Sequence, residues 1–265
     1  MLSQRILRAA IYAATLFVLG FTTSASAAPS PLRKAGETFE EALRRSTPKR
    51  GWNRESATNV AGPVADADWS RVPRLSGDAL RTFRTVRDHR FLTDPSHPDF
   101  LRRPSWLYPP DGCYARAAAV VQTADRFGFE RPAQLFAFGS LKVSTPNVPE
   151  GEVQWWYHVT AIYRDSATDR VVVFDPAIFP SRPMPVEDWL LAMVPTLDAV
   201  KIAVCAAEAE EPNANCDEGE PGATEQLVAM LASQFLPWEW DNLLALGRRP
   251  ERELGDAPPW ANSRQ

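Results

Sequence analysis

The chain has 265 residues, 45% of them hydrophobic, and a formal net charge of −4. A mildly acidic chain has no basic stripe for a nucleic acid, so nucleic-acid binding is excluded from the expected functions. The three histidines are scattered and the three cysteines form no CxxC motif, so neither a metal site nor a cofactor is predicted.

The first 27 residues have the features of a secretory signal peptide. Two arginines lie within the first eight residues, an apolar run covers residues 9–21, and the sequence Ala-Ser-Ala ends at Ala27. Signal peptidase cleaves after such small residues. Cleavage after Ala27 and export to the periplasm or the medium are therefore predicted. A short membrane anchor is the alternative, but the run is short for a membrane span, so no stable membrane association is expected.

Residues 28–92 are predicted to form an N-terminal extension or pro-segment. Residues 28–75 are rich in Pro, Arg, Ser and Asp and contain one predicted helix, over residues 36–46. A second helix is predicted over residues 76–92, where apolar residues recur at helical spacing. The next stretch, residues 93–112, holds five prolines and is predicted to be irregular.

The predicted catalytic domain spans residues 93–247, and the charged residues 248–265 are predicted to be a flexible tail. Helical periodicity, β-branched runs and turn residues define its elements. The predicted helices cover residues 113–127, 185–194 and 223–236. The predicted strands lie in residues 133–145, 153–165 and 169–179, and Pro176 ends the last of them. This order predicts an α+β fold, in which an antiparallel sheet packs on a central helix that begins at Cys113.

Cys113 is predicted to lie in the first turn of that helix, with Asp111 as the N-cap and Gly128 as the stop. Unpaired backbone N–H groups and the helix dipole favour an anion at this end, and the thiolate is the reactive form of cysteine. The residue also lies on the apolar stripe of the helix, so a buried structural thiol is the alternative.

The other two cysteines, Cys205 and Cys216, flank a short polar loop and are predicted to form a disulfide bond. Such a bond would stabilise an exported protein, and it would leave Cys113 free. The alternative is that Cys113 pairs with one of them and the third cysteine is a passive core residue. An unpaired cysteine in an exported protein is expected to be reactive or to pair with another molecule.

His158 and Asp175 lie on two consecutive predicted strands. If residues 165–168 close a hairpin, Arg164 pairs with Asp169, and His158 then lies directly opposite Asp175 on one face of the sheet. An aspartate in this place fixes the tautomer of the imidazole and stabilises the imidazolium. The alternatives are a sheet histidine without a catalytic role and an aspartate that only starts a turn.

Three aromatic residues are predicted to line the substrate site. Alternation along the strand puts Trp156 on the face of His158 and Trp155 on the other face. Trp106 and Tyr108 lie in the loop that leads to Cys113. The alternative is that Trp156 is a core residue and that the two loop aromatics only anchor the loop.

Three sequence blocks in this order resemble the bacterial protein-glutaminases. They are "DGCYARA" (111–117), "WWYHV" (155–159) and "VVFDPAIF" (172–179), followed by a Pro and a Trp at positions 185 and 189. The resemblance covers roughly residues 105–195. It implies a secreted protein-glutamine deamidase with a transglutaminase-like, papain-related core, made with a signal peptide and a pro-segment.

The resemblance also implies the roles of the site residues. Cys113, His158 and Asp175 would form the catalytic triad of a monomeric enzyme that acts on proteins or peptides with an exposed glutamine. The sequence departs from the family pattern at Ala118 and Ala119, where a polar residue is expected, and in the acidic loop between the paired cysteines. Two alternatives remain open: a transglutaminase or cysteine peptidase with the same triad, and an exported binding module without activity.

Overall fold

The structure is a computed structural model, and it describes residues 41, 54–94 and 96–259. The predicted signal peptide and almost all of the predicted helix over residues 36–46 lie outside the described residues. The described helices are α1 (Ala57–Val60), α2 (Ala79–Asp88), α3 (Cys113–Phe127), α4 (Val186–Leu191), α5 (Ala223–Met230), α6 (Leu236–Ala245) and α7 (Pro250–Leu254). The described strands are β1 (Gly62–Pro63), β2 (Leu92–Asp94), β3 (His97–Arg102), β4 (Ala133–Ser144), β5 (Glu152–Arg164), β6 (Val171–Phe174), β7 (Met184–Pro185) and β8 (Val200–Cys205).

Six of the strands form one antiparallel sheet, in the order β1-β8-β4-β5-β6-β7. Helix α3 packs on β5 through Cys113, Ala117 and Val120. Trp189 and Leu190 of α4 belong to the apolar cluster that includes Ile162 and other β-strand residues. The prediction of mixed helices with an antiparallel sheet is confirmed.

Helix α3 has a glycine as the cap at each end. Gly112, not the predicted Asp111, is the N-cap, and its φ of 79° lies in the left-handed region that glycine adopts without strain. Asp111 instead accepts a hydrogen bond from the N–H of Gly112, at 2.6 Å. Gly128 ends the helix with a φ of 67°, as predicted. Cys113 is therefore the first residue of the helix.

The alanines of α3 allow a second layer of helices to pack closely on its outer side. Ala118 and Ala119, where the family resemblance predicts a polar residue, are buried against Leu227, Leu231 and neighbouring residues. A π-helical turn over Leu231–Phe235 joins α5 to α6, so the helical segment extends well beyond the predicted end at residue 236. Because α3 is covered on both sides, a polar side chain at either alanine would be buried without water.

Two predictions about regular structure were wrong. Residues 93–112 are not irregular throughout, because β2 and β3 form a two-stranded antiparallel sheet. This pairing tolerates Pro98 because a two-stranded sheet consists only of edge strands. The strand predicted over residues 169–179 covers only Val171–Phe174, since a turn follows at residues 175–177.

The predicted domain boundaries stay predictions. Helix α2, which falls within the predicted extension, packs its Phe83 against Phe174 of the sheet, with ring centroids 5.5 Å apart. Within the predicted tail, α7 buries Leu254 against Trp240 and Leu243. In the described part of the chain, no helix is long and apolar enough to cross a membrane.

Candidate active site

The structure leaves Cys113 as a free thiol. Cys205 and Cys216 form the predicted disulfide bond, with sulfurs 2.07 Å apart. Cys113 is not part of a disulfide and is only 4% exposed. It is the first residue of α3, in the helical turn whose backbone N–H groups have no partner within the helix.

His158 and Asp175 contact each other, with Nε2 of the imidazole 2.8 Å from Oδ2 of the carboxylate. The predicted register was wrong, however, because Arg164 pairs with Val171 rather than with Asp169. The two registers differ by an even number of residues, so the two side chains still lie on the same face. Asp175 follows the last residue of β6 and reaches His158 diagonally rather than from the directly opposite position.

The carboxylate of Asp175 is held by two further hydrogen bonds. The indole N–H of Trp189 donates to Oδ2 at 3.0 Å, and the backbone N–H of Ala177 donates to Oδ1 at 3.2 Å. Trp189 is fully buried. The sequence signal for this residue is the Pro and Trp at positions 185 and 189, which follow the three blocks that resemble the protein-glutaminases. These bonds fix the orientation of the carboxylate toward the imidazole.

Cys113, His158 and Asp175 line one enclosed cavity, together with Trp106 and Arg116. Its volume is about 10 Å³, which is about the space of one water molecule. Among the described residues, Nδ1 of His158 has no hydrogen-bond partner, although the Cys113 thiol lies near enough to raise the pKa of the imidazole. The described residues include no group of three side chains that could hold a metal ion.

The electrostatics of the pair favour its charged form. Burial alone would lower the pKa of His158, but the charge and hydrogen bond of Asp175 raise it to about 9. For Asp175, burial opposes ionisation, while the charge and hydrogen bond of His158 lower its pKa below the usual range. At neutral pH the site therefore holds an imidazolium beside a carboxylate.

The indole that stacks on the imidazole is Trp155, not the predicted Trp156. The rings of Trp155 and His158 are 4.5 Å apart at an angle of 20°, whereas Trp156 packs against Phe138 and Tyr157. The prediction assumed strict alternation along β5, but Trp156 and Tyr157 both belong to the apolar cluster of Cys113, whereas Trp155 belongs to another cluster. Alternation along β5 breaks at this point, beside the bulge where the pairing of β4 with β5 shifts between Phe138 and Leu141.

The two predicted loop aromatics lie in different surroundings. Trp106 lines the cavity and donates its indole N–H to the carbonyl of Arg87 at 3.0 Å. Tyr108 packs near Phe235 and Trp238, with ring centroids 6.3 and 5.9 Å apart, and it is not among the residues that line the cavity. Contact of either residue with a substrate stays a prediction.

The start of the described chain packs next to this site. Ala57 is fully buried in the apolar cluster that also contains Cys113. The loop closed by the disulfide holds this segment, since the N–H of Cys216 donates to the carbonyl of Glu55 at 2.8 Å and the N–H of Thr58 donates to that of Pro212 at 3.1 Å. Residues 55–58 are therefore held against the apolar cluster that contains Cys113.

A larger groove, of about 600 Å³, lies elsewhere on the molecule. It is lined by Trp69, Arg164, Val186 and other residues, but by no cysteine or histidine. The small cavity is therefore the better candidate for chemistry, because it alone of the two brings a thiol and an imidazole together.

Comparison with protein families gives a match over residues 79–193, to the family described as Glutaminase. This segment is thus similar to the glutaminase family. The predicted resemblance to the protein-glutaminases is thereby confirmed, and the matched segment contains Cys113, His158 and Asp175. The comparison with curated proteins found no match.

Solved structures with similarity to the chain are also protein-glutaminases. A crystal structure of pro-protein-glutaminase has 19% identity and a TM-score of 0.43, and the match covers 65% of this chain and 64% of that one. A crystal structure of a mutant pro-protein-glutaminase has 23% identity and a TM-score of 0.40, with coverage of 54% and 52%. The NMR structure of protein-glutaminase from Chryseobacterium proteolyticum has 27% identity and a TM-score of 0.36, with coverage of 47% and 71%. The chain thus spans about half to two thirds of the two pro-protein-glutaminase chains.

Proposed function

We propose that this protein hydrolyses the side-chain carboxamide of glutamine residues in proteins or peptides. Cys113 is the nucleophile, His158 the general acid and base, and Asp175 the group that orients the imidazole. The observation that carries the proposal is the cavity shared by the three side chains. The carboxylate of Asp175 contacts Nε2 of the His158 imidazole, so Nδ1 of the same ring remains available to the sulfur of Cys113. The match of residues 79–193 to the glutaminase family supports the choice of substrate.

In the first half of the reaction, the sulfur of Cys113 attacks the carboxamide carbon of the glutamine. The carbonyl oxygen gains negative charge, which the backbone N–H of Cys113 and a neighbouring donor stabilise. The imidazolium of His158 then gives its proton to the departing amino group. The C–N bond breaks, ammonia leaves, and a thioester joins the substrate to Cys113.

In the second half, water cleaves the thioester. His158, now neutral, accepts a proton from the attacking water, and the C–S bond breaks to release glutamate and regenerate the thiolate–imidazolium pair. Asp175 holds the ring through Nε2 during both halves. A pKa of about 9 for His158 favours the protonated ring that the first half requires at neutral pH.

Substrate entry requires the site to open, because a cavity of about 10 Å³ cannot hold a glutamine side chain. We infer that the predicted extension over residues 28–92 contributes to this closure, since Ala57 is buried in the same apolar cluster as Cys113. Removal or displacement of its first part would then increase activity. Export and cleavage after Ala27 are part of the same proposal, and the disulfide bond is consistent with an oxidising compartment.

The decisive assay follows ammonia release from a glutamine-rich protein, together with the mass of the product. Deamidation adds about one dalton per site, because an amide nitrogen is replaced by oxygen. The full chain is compared with the folded chain after limited proteolysis of its N-terminal residues. Cys113→Ala should abolish ammonia release and leave the fold intact. Retained activity in this variant would refute the proposed mechanism.

Two alternatives use the same three residues. A transglutaminase would transfer the acyl group to an amine, and a peptidase would cleave the main chain, in both cases on a papain-like or transglutaminase-like core. A primary amine added to the assay distinguishes them, since incorporation of the amine indicates transfer and shorter fragments indicate proteolysis. A binding module without activity is less favoured, because it predicts a disulfide-bonded or inert Cys113, and this thiol is free.

A further inference from the structure

Arg116 is a buried cation that lies one helical turn after Cys113. Its side chain lines the same cavity as Cys113 and His158, and the residue is only 3% exposed. Among the described residues, its Nη2 has no hydrogen-bond partner. A buried charge is costly unless it compensates other groups, so its presence at the cavity requires a reason. The sequence signal is an arginine three residues after the cysteine on an alanine-rich helix.

The guanidinium ties the turn before α3 to the helix. Its Nη1 donates to the carbonyl of Tyr108 at 2.8 Å and to that of Asp111 at 2.7 Å. Both carbonyls lie in the turn that leads directly into Cys113. Because Cys113 is the first helical residue, a shift of this turn would move the sulfur relative to His158.

The charge of Arg116 also acts on several buried groups around it. These are the carboxyls and phenols of Asp111, Asp175, Glu239, Tyr108 and Tyr114. Burial raises the pKa of Asp111 and of Glu239 and opposes ionisation of Asp175, and in each carboxyl the nearby guanidinium acts in the other direction. Arg116 therefore supplies positive charge where buried anions collect.

We propose that Arg116 is a positioning residue, which holds the turn at residues 108–111 against α3 and balances the negative charge of the buried carboxyls around it. The inference rests on the proposed function, because it concerns the same thiol. Arg116 acts through Cys113 and Asp175, so its removal is expected to lower kcat more than it raises KM.

Three variants separate the charge, the hydrogen bonds and the general effect of a lost buried arginine. Arg116→Gln removes the positive charge and keeps an N–H donor. Arg116→Lys keeps the charge and loses the planar guanidinium, which can donate to two carbonyls at once. Arg102→Gln is the matched control. Arg102 is also a buried arginine, 4% exposed, and it donates to the carbonyls of Leu254 and Asp256, away from the cavity.

Ammonia release is measured from pH 4 to pH 10 for each variant, beside urea unfolding. Arg116→Gln is expected to lose about 10²-fold in kcat, as for a small displacement of reacting groups, and Arg116→Lys to recover part of this loss. The fall in kcat at acid pH, here called the limb, should occur at higher pH in Arg116→Gln, because the nearby carboxyls lose the positive charge that lowers their pKa. In Arg116→Lys the limb should lie at its wild-type pH again. Asp111→Asn and Glu239→Gln identify which carboxyl produces the limb. Arg102→Gln should lower stability and leave kcat at the pH optimum unchanged.

Alkylation of Cys113 by iodoacetamide, at reagent concentrations where the rate is proportional to the reagent, tests the same inference without a substrate. Slower alkylation in Arg116→Gln than in both the wild type and Arg102→Gln supports it. Equal alkylation rates in all variants, or a pH profile that does not move in Arg116→Gln, would overturn it. A wild type that releases no ammonia would refute the proposed function alone, and the alkylation rates would still decide the role of Arg116.

Discussion

The pair formed by His158 and Asp175 makes a prediction that one substitution tests. Asp175→Asn removes the negative charge and keeps the size of the side chain. If the amide oxygen takes the place of Oδ2, it can still accept from the imidazole and from Trp189. The amide NH₂ then faces the backbone N–H of Ala177, which donates to Oδ1 in the wild type. The variant should therefore fold, with a pair that no longer favours the imidazolium.

The size of the effect follows from the surroundings of His158. Its pKa is about 9 with Asp175 in place, against an ordinary value of 6.5, and burial is the largest cause that acts to lower it. Without the carboxylate, burial dominates and the pKa should fall below 6.5. A change of about 2.5 in pKa corresponds to about 3 kcal/mol. Loss of the imidazolium and of its orientation should reduce kcat by about 10³- to 10⁴-fold.

Loss of the Asp175 carboxylate should also change how the free energy of unfolding depends on pH. Because the folded-state pKa of His158 lies above the unfolded value, the pair stabilises the fold fully below about pH 6.5, and this contribution disappears as the pH rises through about 9. Urea unfolding should therefore give a larger difference between wild type and Asp175→Asn at pH 6 than at pH 10. Asp169→Asn, at an exposed loop position, is the control and should show no such dependence.

NMR titration of the histidine rings measures the pKa directly, since the chain has only three histidines. In the wild type one ring should titrate near pH 9, and in Asp175→Asn the same ring should titrate below pH 6.5. His89, whose pKa is lowered by burial and by Arg126, should titrate alike in both proteins. A His158 ring that titrates at the same pH with and without the carboxylate would refute the reasoning.

Two further predictions concern the loop closed by the disulfide. Glu210 is fully buried, and burial raises its pKa to about 7. Among the described residues, one of its oxygens accepts from the hydroxyl of Thr224 and the other has no partner. Because this pKa is raised, the folded state loses stability as the pH rises from about 4.5 through 7. Glu210→Gln should therefore stabilise the fold at pH 8 by about 1 kcal/mol or more. Urea unfolding at pH 4 should show little gain. Replacement of both Cys205 and Cys216 by serine should lower the free energy of unfolding by about 2 to 3 kcal/mol, and an unchanged urea midpoint would contradict this prediction.

Much of the site could be predicted because its parts depend on local signals. The helix over residues 113–127 ends at a glycine and has a clear apolar stripe, and the structure reproduces its bounds. The shared face of His158 and Asp175 depends only on whether the strand register is even or odd. This prediction therefore holds, although the hairpin loop is longer than predicted and Asp169 within it adopts a φ of 58°.

What could not be predicted depends on contacts between distant segments. The stacking of Trp155 rather than Trp156 on the imidazole follows from a break in the alternation along β5, beside a bulge in its pairing with β4 that strict alternation does not reveal. The burial of Ala118 and Ala119 follows from helices more than a hundred residues later in the chain. The role of Arg116 depends on a cavity that exists only after the sheet and helix have packed.

The bulge where β4 pairs with β5 has a consequence for what this part of the sheet tolerates. Gly139 lies within it, and the first carbon of a side chain there would lie 2.9 Å from the carbonyl oxygen of Ala199. The bulge lies opposite Trp156, beside the point where alternation along β5 breaks and Trp155 stacks on His158. A side chain at position 139 would therefore strain the strand next to the indole that covers the imidazole.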